Sequence, residues 1–372
     1  MNDFFVYGTL RHKPLLDLVA GAPVEAIPAR ISGFAVYWAA GESFPMITAE
    51  EGGQAEGLLL RNLTGIQRDR LDYYELAFGY QRADVCVDPG TGHEMASCYI
   101  AARQLYSQGE PFDLDAWIGK WAPTSMRAAE EVMMSFGNED PRDVGARFGT
   151  IRMRAASYAN AQADPSALTP SGLTAQNVIS HRRMIPYANY FAVDEHDLSF
   201  QRHDGSPSEV VNRATFMAAD AVIVLPYDPV RDRVLLVEQF RAGPYFRGDP
   251  HCWALEPVAG RIDPGETAIE AAERETREEA RLEMSRLIPV NRGYPSPGCS
   301  SEYYHLFVGL ADLPDDIVGV GGEETEAEDI RTHLFSYTEL MEMVDNDRIS
   351  TQPTCLLALW LSRARDGLRQ TG

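Results

Sequence analysis

The sequence predicts an α+β protein of two domains: a small β-barrel with helices, followed by a sheet sandwiched between helices. The chain of 372 residues is long enough for two separate cores. Its first part shows many short strand patterns and few helical ones, whereas its second part alternates apolar strands with amphipathic helices. A Pro- and Ser-rich segment, residues 163–172, reads as a linker between them. We therefore place the boundary near residue 168, giving domains of residues 1–168 and 169–372.

Composition limits the classes of function. The net charge of −22 argues against generic binding to nucleic acid or anionic membranes, because the long-range field would repel both. The five cysteines are scattered without a C-x-x-C pair, so neither a zinc site nor a disulfide framework is predicted. The chain opens without a recognisable targeting segment, and no stretch is long enough to span a bilayer. A reduced, soluble, cytoplasmic protein is expected.

Strand patterns dominate the first hundred residues. An apolar strand at 4–7 runs into Gly8, and backbone amides around a glycine at a strand end can hold a carboxylate or carbonyl. A buried strand and turn without a ligand is the alternative interpretation. Further strand patterns occur at residues 31–38, 55–60, 83–87 and 97–101. From residue 113 to about residue 163 the apolar spacing becomes helical.

Three segments of this first part carry a resemblance. The runs Y-G-T-L-R at 7–11, L-D-Y-Y-E at 71–75 and Y-Q-R at 80–82 together resemble the gamma-glutamylcyclotransferase-like family, over roughly residues 3–120. The resemblance implies a loop that holds the gamma-glutamyl substrate, formed by Tyr7, Gly8, Thr9 and Leu10. It also implies that Glu75 is the acid and base of the reaction.

That role makes a physical demand on Glu75. A carboxyl group that shuttles a proton needs a pKa raised by an apolar pocket. The flanking residues Tyr73, Tyr74 and Phe78 are candidates for the walls of that pocket. The alternative is that Glu75 is an ordinary acid in a barrel retained for binding or assembly, since a shared fold does not guarantee shared chemistry.

The second part alternates strands and helices. Segments 190–201 and 208–218 are predicted as strands of an extension that precedes the main sheet. Strands at 221–227 and 233–240 are joined by D-P-V-R-D, a hairpin signal, and strands at 287–291 and 304–310 follow. Helices are predicted at 337–344 and 354–365.

An acidic helix lies between these strands. Thr267 followed by Glu270 predicts a capping box at the start of the helix. Glu275 and Glu279 are four residues apart, so both carboxylates lie on one face, and no cation at helical spacing neutralises that face. Clustered carboxylate oxygens suit a hard cation such as Mg²⁺, which can bridge phosphate oxygens and activate water. A solvated acidic helix face is the alternative.

The spacing of this stretch resembles the Nudix box. The matching positions are Gly260, Glu266, Arg274, Glu275, Glu278, Glu279 and Leu282. Two positions depart from the pattern. Thr276 is less apolar than usual, and Arg281 replaces a glycine that normally relaxes a left-handed turn after the helix, so strain is expected at Arg281.

Further runs resemble one Nudix branch, the ADP-ribose pyrophosphatases, over about residues 175–365. These runs are Y-D-P-V-R-D-R-V-L-L-V-E-Q-F-R and L-E-P-V-A-G-R-I-D-P-G-E, with Pro297 at the branch's signature proline and Glu302 close behind, both assigned to substrate binding. The resemblance implies metal ligands at Glu275, Glu279 and the carbonyl of Ala259, supported by Glu278. Arg274 would orient the carboxylates. Mg²⁺ is the expected ion, with Mn²⁺ as the alternative.

The acidic run 321–331 is similar to the E-x-E-D-I-R loop of that branch. The resemblance assigns Glu326 as the base on water and Glu328 as a further metal ligand, whereas an ordinary solvated loop is the alternative. Arg213 and Arg241 would bind the diphosphate, or form surface ion pairs. For the aromatic residue that stacks on adenine, the candidates are Tyr190 and Phe191. The branch also implies a homodimer with swapped extensions.

Together these observations predict a Mg²⁺-dependent hydrolase that splits ADP-ribose into AMP and ribose 5-phosphate. Two alternatives remain open. In the first, the substrate is another nucleoside diphosphate sugar. In the second, the domain is a ligand-sensing module without catalysis. A gamma-glutamyl cyclotransferase activity is the second function expected, in the N-terminal domain.

Overall fold

The computed structural model describes residues 3–101, 106–321 and 329–371. Two compact units divide the chain, Met1–Arg213 and Ala214–Gly372. Strands between residues 178 and 211 group with the first unit, although the sequence analysis assigned them to the second domain. The domain boundary near residue 168 stays a prediction. Among the described residues, no helix has the length and apolar character needed to cross a membrane.

The first unit is built on a curled, half-barrel sheet. Its strands are β1 (Phe4–Val6), β2 (Glu25–Ala39), β3 (Pro45–Arg61), β4 (Tyr80–Val87), β5 (Glu94–Ala101) and β6 (Gln108–Pro111). They lie in the order β4-β5-β1-β3-β2-β6, with β1 parallel to β5 and antiparallel to β3. The predicted strands are confirmed, but β2 and β3 extend well beyond their apolar centres because the pairing continues through exposed polar residues.

Helices cover one side of this sheet. They are α1 (Lys13–Ala20), α2 (Gly65–Ala77), α3 (Leu114–Met134), α4 (Pro141–Ala146) and α5 (Phe148–Ala163). Trp117, Leu71 and Ile151 are fully buried in the core between these helices and the sheet. A second core, with Phe5 and Leu59, lies on the other side of the sheet. The predicted helical region is confirmed as α3, α4 and α5, whereas α1 was not predicted.

A separate three-stranded sheet follows along the chain. Its strands are β7 (Val178–Ala188), β8 (Ala192–Phe200) and β9 (Val211–Met217), and β7 was not predicted. Ionic contacts connect this sheet to α3 and α5. Asp194 accepts hydrogen bonds from Arg183 at 2.8 Å and from Arg127 of α3 at 3.4 Å. The buried Arg154 of α5 donates to the carbonyl of Tyr190 at 3.1 Å.

The second unit contains a mixed sheet. Its strands are β10 (Ala221–Asp228), β11 (Arg233–Phe240), β12 (Trp253–Glu256), β13 (Val258–Arg261), β14 (Arg286–Gly293), β15 (Tyr304–Leu310), β16 (Val320–Gly321) and β17 (Ile330–Ser336). The order is β14-β15-β10-β11-β17-β16, with β12 paired to β11 and β13 paired to β10. Strand β10 is parallel to β15 and antiparallel to β11, and β10 and β11 are the two central strands of this order.

Helices pack on both faces of that sheet. They are α7 (Ala268–Ala280), α8 (Tyr337–Asp345) and α9 (Gln352–Thr371), whereas the short helix α6 (Ala242–Arg247) buries none of its residues. Alternate residues of a strand point to opposite faces, so Val222 packs with α7 while its neighbour Ile223 packs with α8 and α9. The predicted sandwich of helices around a sheet is confirmed.

Candidate functional sites

Helix α7 carries the first candidate site. Its N-cap is Thr267, whose hydroxyl accepts from the backbone N–H of Glu270 at 3.2 Å. In return, the Glu270 carboxylate accepts from the backbone N–H of Thr267 at 2.8 Å. The predicted capping box is therefore confirmed. It fixes the start of the helix and, with it, the direction of the carboxylates two turns later.

Arg274 organises the carboxylates of this site. Its Nε and Nη2 donate to the two oxygens of Glu266 at 3.0 and 2.9 Å, a bidentate pair. Its Nη1 donates to Glu275 at 2.7 Å and to Glu278 at 3.2 Å, and its Nη2 also donates to the carbonyl of Arg261 at 2.9 Å. The expectation that no local cation neutralises the Glu275 face was wrong, because an adjacent arginine folds back onto it.

Glu275 lies against the backbone of strand β13. A Cβ atom built at Gly260 would lie 1.9 Å from the carboxylate carbon of Glu275. Any side chain at position 260 would therefore displace the carboxylate. The glycine of the motif is required here for close approach.

Glu279 is held from the same strand. It is only 3 % exposed, and its Oε2 accepts from the backbone N–H of Ala259 at 3.2 Å. Both predicted carboxylate ligands thus lie beside β13, with Ala259 contributing backbone to the same place. Glu278 is more exposed and shares Arg274 with Glu275.

These groups fit a hard divalent cation. Carboxylates and a backbone carbonyl are the oxygen ligands that Mg²⁺ accepts, and this ion usually keeps several waters and takes others from substrate phosphates. In the part of the chain that the structure describes, no three His, Cys, Asp or Glu side chains form a ready-made metal cluster. Glu326 and Glu328, assigned as base and further ligand, lie outside the described residues.

The two departures from the motif have different consequences. The Thr276 side chain is fully buried, and its hydroxyl donates to the carbonyl of Ala272 at 2.7 Å, so its polar group is satisfied. Arg281 has φ 54° and ψ 35°, the left-handed conformation that glycine adopts without strain. Arg281 therefore adopts the left-handed turn expected at this position, and the strain at Arg281 stays a prediction.

A second group of charged and polar side chains lies at or next to the ends of strands in the same unit. Arg241 donates through Nε to Glu256 at 2.7 Å. Tyr304 donates its hydroxyl to Glu302 at 3.1 Å, and burial raises the pKa of Glu302. Arg241 and Glu302 were predicted. Glu256 and Tyr304 were not assigned, although Glu256 stands in the quoted run L-E-P-V-A-G.

The other predicted residues are less closely associated with the two groups of charged side chains just described. Pro297 lies exposed in a turn, where the N–H of Cys299 donates to Ser296 at 3.1 Å. Arg213 belongs to the first unit, where it donates to the carbonyl of Asn212 at 2.8 Å. Tyr190 and Phe191 stack edge to face at 4.8 Å in the turn between β7 and β8.

The second candidate site is a cavity in the first unit, with an empty volume of about 350 Å³. The predicted loop residues line it together with the predicted acid, namely Tyr7, Gly8, Thr9, Leu10 and Glu75. Gly8 makes a close approach, since a Cβ atom there would lie 2.9 Å from Cγ of Pro45. The structure therefore brings together residues that are far apart in the sequence.

Burial raises the pKa of Glu75 to about 8. The side chain borders the cavity and is partly accessible, but its surroundings are largely aromatic. Tyr74 and Phe78 contribute to these surroundings as expected, while Tyr73 packs against Phe136 at 5.4 Å. With a pKa of about 8, both the acid and the carboxylate form are present near neutral pH, so this group can give a proton in one form and accept one in the other.

Comparisons with known proteins match the two parts of the chain to two different families. The family model of the NUDIX domain matches residues 217–353. The family model of gamma-glutamyl cyclotransferase, AIG2-like, matches residues 4–119. Helix α7 and its carboxylates fall in the first match, and the Glu75 cavity falls in the second.

Curated relatives match the second part of the chain. The ADP-ribose pyrophosphatase of Escherichia coli strain K12 is 34% identical over 183 residues, which are 49% of this chain and 87% of the relative. The ADP-ribose pyrophosphatase of Haemophilus influenzae is 30% identical, over 50% of this chain and 86% of the relative. A GDP-mannose pyrophosphatase of Escherichia coli strain HS is 27% identical, over 46% of this chain and 88% of the relative.

The family match and the relatives that cover the acidic helix identify a Nudix hydrolase. The chain belongs to the Nudix family, in the branch of the ADP-ribose pyrophosphatases, and it is a hydrolase of nucleoside diphosphate compounds. Its N-terminal part carries a domain that matches the family model of gamma-glutamyl cyclotransferase, AIG2-like.

Proposed function

We propose that the protein hydrolyses the diphosphate of ADP-ribose, giving AMP and ribose 5-phosphate, with Mg²⁺ as the cofactor. The observation that carries this proposal is the Arg274 network on α7. It holds Glu266, Glu275 and Glu278 around a single guanidinium, while the Ala259 N–H holds Glu279 nearby. Such an arrangement brings carboxylates together at one place, because the positive charge of the guanidinium offsets their mutual repulsion.

Glu275, Glu279 and the carbonyl of Ala259 would hold the ion, together with Glu328. Bound there, Mg²⁺ supplies positive charge for the diphosphate oxygens and lowers the pKa of a coordinated water. Mn²⁺, which accepts the same oxygen ligands, is the alternative ion.

The chain's own residues orient the groups that react. Arg274 fixes the direction of the Glu275 carboxylate, and Glu326 accepts the proton of the attacking water. Arg241 presents a guanidinium that is 41% exposed and whose direction is fixed by Nε donation to Glu256. A fixed planar guanidinium suits the bidentate recognition of a phosphate. Arg213, which the resemblance assigned to the diphosphate, belongs to the first unit, and its role stays a prediction.

Release of AMP from ADP-ribose with Mg²⁺ tests this proposal, with GDP-mannose and other nucleotide sugars measured alongside. Relatives with either substrate in their names match the chain, so the panel must include both. We expect a clear preference for ADP-ribose. Preference for another diphosphate would discard the substrate assignment, and no cleavage of any compound would favour a sensing module.

We also propose that the N-terminal domain is a gamma-glutamyl cyclotransferase. The supporting observation is Glu75, with its raised pKa, in the cavity lined by the Tyr7–Leu10 loop. The neutral α-amine of a gamma-glutamyl amide attacks the γ-carbonyl carbon, and the bond from that carbon to the amide nitrogen breaks. The carboxylate form of Glu75 takes a proton from the attacking nitrogen, and the carboxylic acid so formed delivers that proton to the departing amine. The products are 5-oxoproline and the free amine, so no water is consumed.

A comparison of wild type with Glu75→Gln tests this second activity. Wild type should release 5-oxoproline from a gamma-glutamyl amide, and the variant should lose that release because its amide side chain cannot shuttle a proton. If wild type releases no 5-oxoproline from any gamma-glutamyl amide or dipeptide, the domain is not a cyclotransferase.

We propose further that the protein is a homodimer. Several large apolar side chains of β7, β8, β9 and their turns are 40–61% exposed, namely Val178, Ile179, Tyr187, Tyr190, Phe191, Phe200, Val210 and Phe216. Exposed apolar side chains at this density are typical of a surface that another chain covers. Sedimentation of the full chain should give twice the mass of one chain, and a monomer would contradict the proposal.

A further inference from the structure

A second cavity adjoins Glu75. It shares Thr9, Glu75 and Tyr80 with the loop-lined cavity, and its empty volume is about 660 Å³. Its remaining walls are mainly aromatic, and we call it the aromatic chamber after Phe44, Tyr74, Phe78, Trp121 and Phe148. Glu75 therefore stands where a small polar cavity meets a larger apolar one.

The chamber depends on helices outside the matched family domain. That match ends at residue 119, within α3. Trp121 and Thr124 of α3, and Phe148 and Arg152 of α5, lie beyond it and line the chamber. The AIG2-like part alone would leave this side of Glu75 without those walls. The helical segment after the family domain thus shapes the space beside the proposed acid and base.

The chamber walls are packed against one another. Phe78 contacts Phe148 with ring centroids 4.5 Å apart, and Tyr74 contacts Phe78 at 5.1 Å. Both contacts are edge to face, the arrangement that aromatic rings prefer. The chamber is therefore formed before any ligand enters.

Arg152, a charged residue that lines the chamber, has an acidic neighbour. Arg152 lies 3.6 Å from Glu42, and its guanidinium carbon lies 5.8 Å from the Trp121 ring. The other polar groups are the hydroxyls of Ser43, Tyr74, Thr124 and Ser125, apart from Thr9, Glu75 and Tyr80 at the junction. Aromatic walls with a few hydroxyls suit an uncharged, bulky group better than a small hydrated one.

We propose that the aromatic chamber binds the departing amine of a gamma-glutamyl amide, and that the preferred amine carries an aromatic group. This inference rests on the proposed cyclotransferase function. The gamma-glutamyl part lies in the loop-lined cavity, the scissile amide lies at Glu75, and the amine substituent extends into the chamber. One substrate then spans both cavities, and the proton that Glu75 delivers reaches the nitrogen between them.

The test compares two substrates that differ only in the amine. Full-length protein is given gamma-glutamyl phenethylamide or gamma-glutamyl ethylamide, and release of 5-oxoproline gives kcat/KM for each. The phenyl group should raise kcat/KM by about tenfold or more, because its apolar surface is buried in the chamber. Binding of both compounds is also measured by calorimetry.

Two variants test whether the chamber causes the preference for the phenethylamide. Trp121→Ala removes one aromatic wall, and Thr124→Trp fills the chamber from the same helix. Each should lower the ratio of the two kcat/KM values toward one. Trp253→Ala makes the same chemical change in the second unit and should leave the ratio unchanged. The second chamber variant keeps the test valid if the first fails to fold.

The outcomes separate this inference from the cyclotransferase proposal. Turnover of both amides with equal kcat/KM would overturn the chamber assignment and leave the activity standing. Tighter binding of the phenethylamide without turnover, lost in Thr124→Trp, would support the chamber and remove the activity. If neither amide binds or reacts, both proposals fail.

Discussion

The carboxylate of Glu275 occupies the space that a side chain at Gly260 would take. A Cβ atom built on Gly260 lies 1.9 Å from the carboxylate carbon of Glu275 and 1.9 Å from its Oε1. Strand β13 and helix α7 therefore approach each other closely at the proposed metal ligand. A requirement for glycine in the motif follows from packing alone.

Gly260→Ala should displace Glu275. We expect hydrolysis to fall by on the order of tenfold or more, and the free energy of unfolding to fall by about 1–3 kcal/mol from overpacking. Steady-state hydrolysis and urea unfolding measure these effects. Gly293→Ala is the matched control, because a Cβ atom there has no neighbour within 4 Å. Equal behaviour of the two variants would show that the close approach does not matter.

Arg274→Gln should lower both stability and activity. The guanidinium is 28% exposed and bonds to Glu266, Glu275 and Glu278, so its loss leaves partly buried carboxylates close together. We expect a loss of about 2 kcal/mol in the free energy of unfolding. Arg277→Gln on the same helix is the control, because Arg277 is exposed and lies 3.4 Å from an exposed Glu283. That change should stay within about 0.5 kcal/mol. Equal losses in the two variants would contradict the role of Arg274.

Arg281→Gly should stabilise the protein. The residue has φ 54°, and a side chain in this conformation costs about 1 kcal/mol relative to glycine. Arg281→Ala keeps the strained Cβ atom and removes the rest of the side chain, so the two variants separate backbone strain from side-chain contacts. We expect the glycine variant to be about 1 kcal/mol more stable than the alanine variant. Equal stability in thermal or urea unfolding would show that the turn is not strained.

Glu75 should make stability depend on pH. In the folded protein its pKa is raised to about 8 by burial, from an ordinary value of 4.5. The folded state therefore holds a proton that the unfolded state has lost between these values, so this contribution to stability is complete below pH 4.5 and is lost as the pH rises toward 8. The slope is at most about 1.4 kcal/mol per pH unit.

Glu75→Gln removes that contribution. Urea unfolding of wild type and variant at pH 5 and pH 8 measures it, because groups common to both proteins cancel in the difference. The variant should gain stability relative to wild type as the pH rises. A difference that does not change with pH would show that the pKa of Glu75 is not raised.

Local patterns in the sequence predicted local structure well. The capping box at Thr267 and the strands at 233–240 and 304–310 depend on residues within a few positions of one another, and the structure confirms them. Helix α1 was missed because its eight residues include Pro14 at the start, which ends a helix elsewhere but is tolerated in the first turn.

Contacts between distant residues could not be predicted in the same way. Arg274 reaches Glu266 eight residues away because a turn brings the chain back along the helix. The pairing of Gly260 with Glu275 depends on how a strand and a helix pack. The aromatic chamber combines Phe44, Trp121 and Phe148, which share no local spacing. Fold class followed from periodicity, whereas these arrangements follow from tertiary packing.

The central claim is tested most directly by release of AMP from ADP-ribose with Mg²⁺, measured for wild type and Glu279→Gln. The glutamine can still accept the hydrogen bond from Ala259, so the fold should be retained while a charged metal ligand is lost. Glu273→Gln, an exposed position on the same helix, is the control and should resemble wild type. We predict that Glu279→Gln loses on the order of a hundredfold or more in turnover. Near wild-type turnover in that variant would contradict the account.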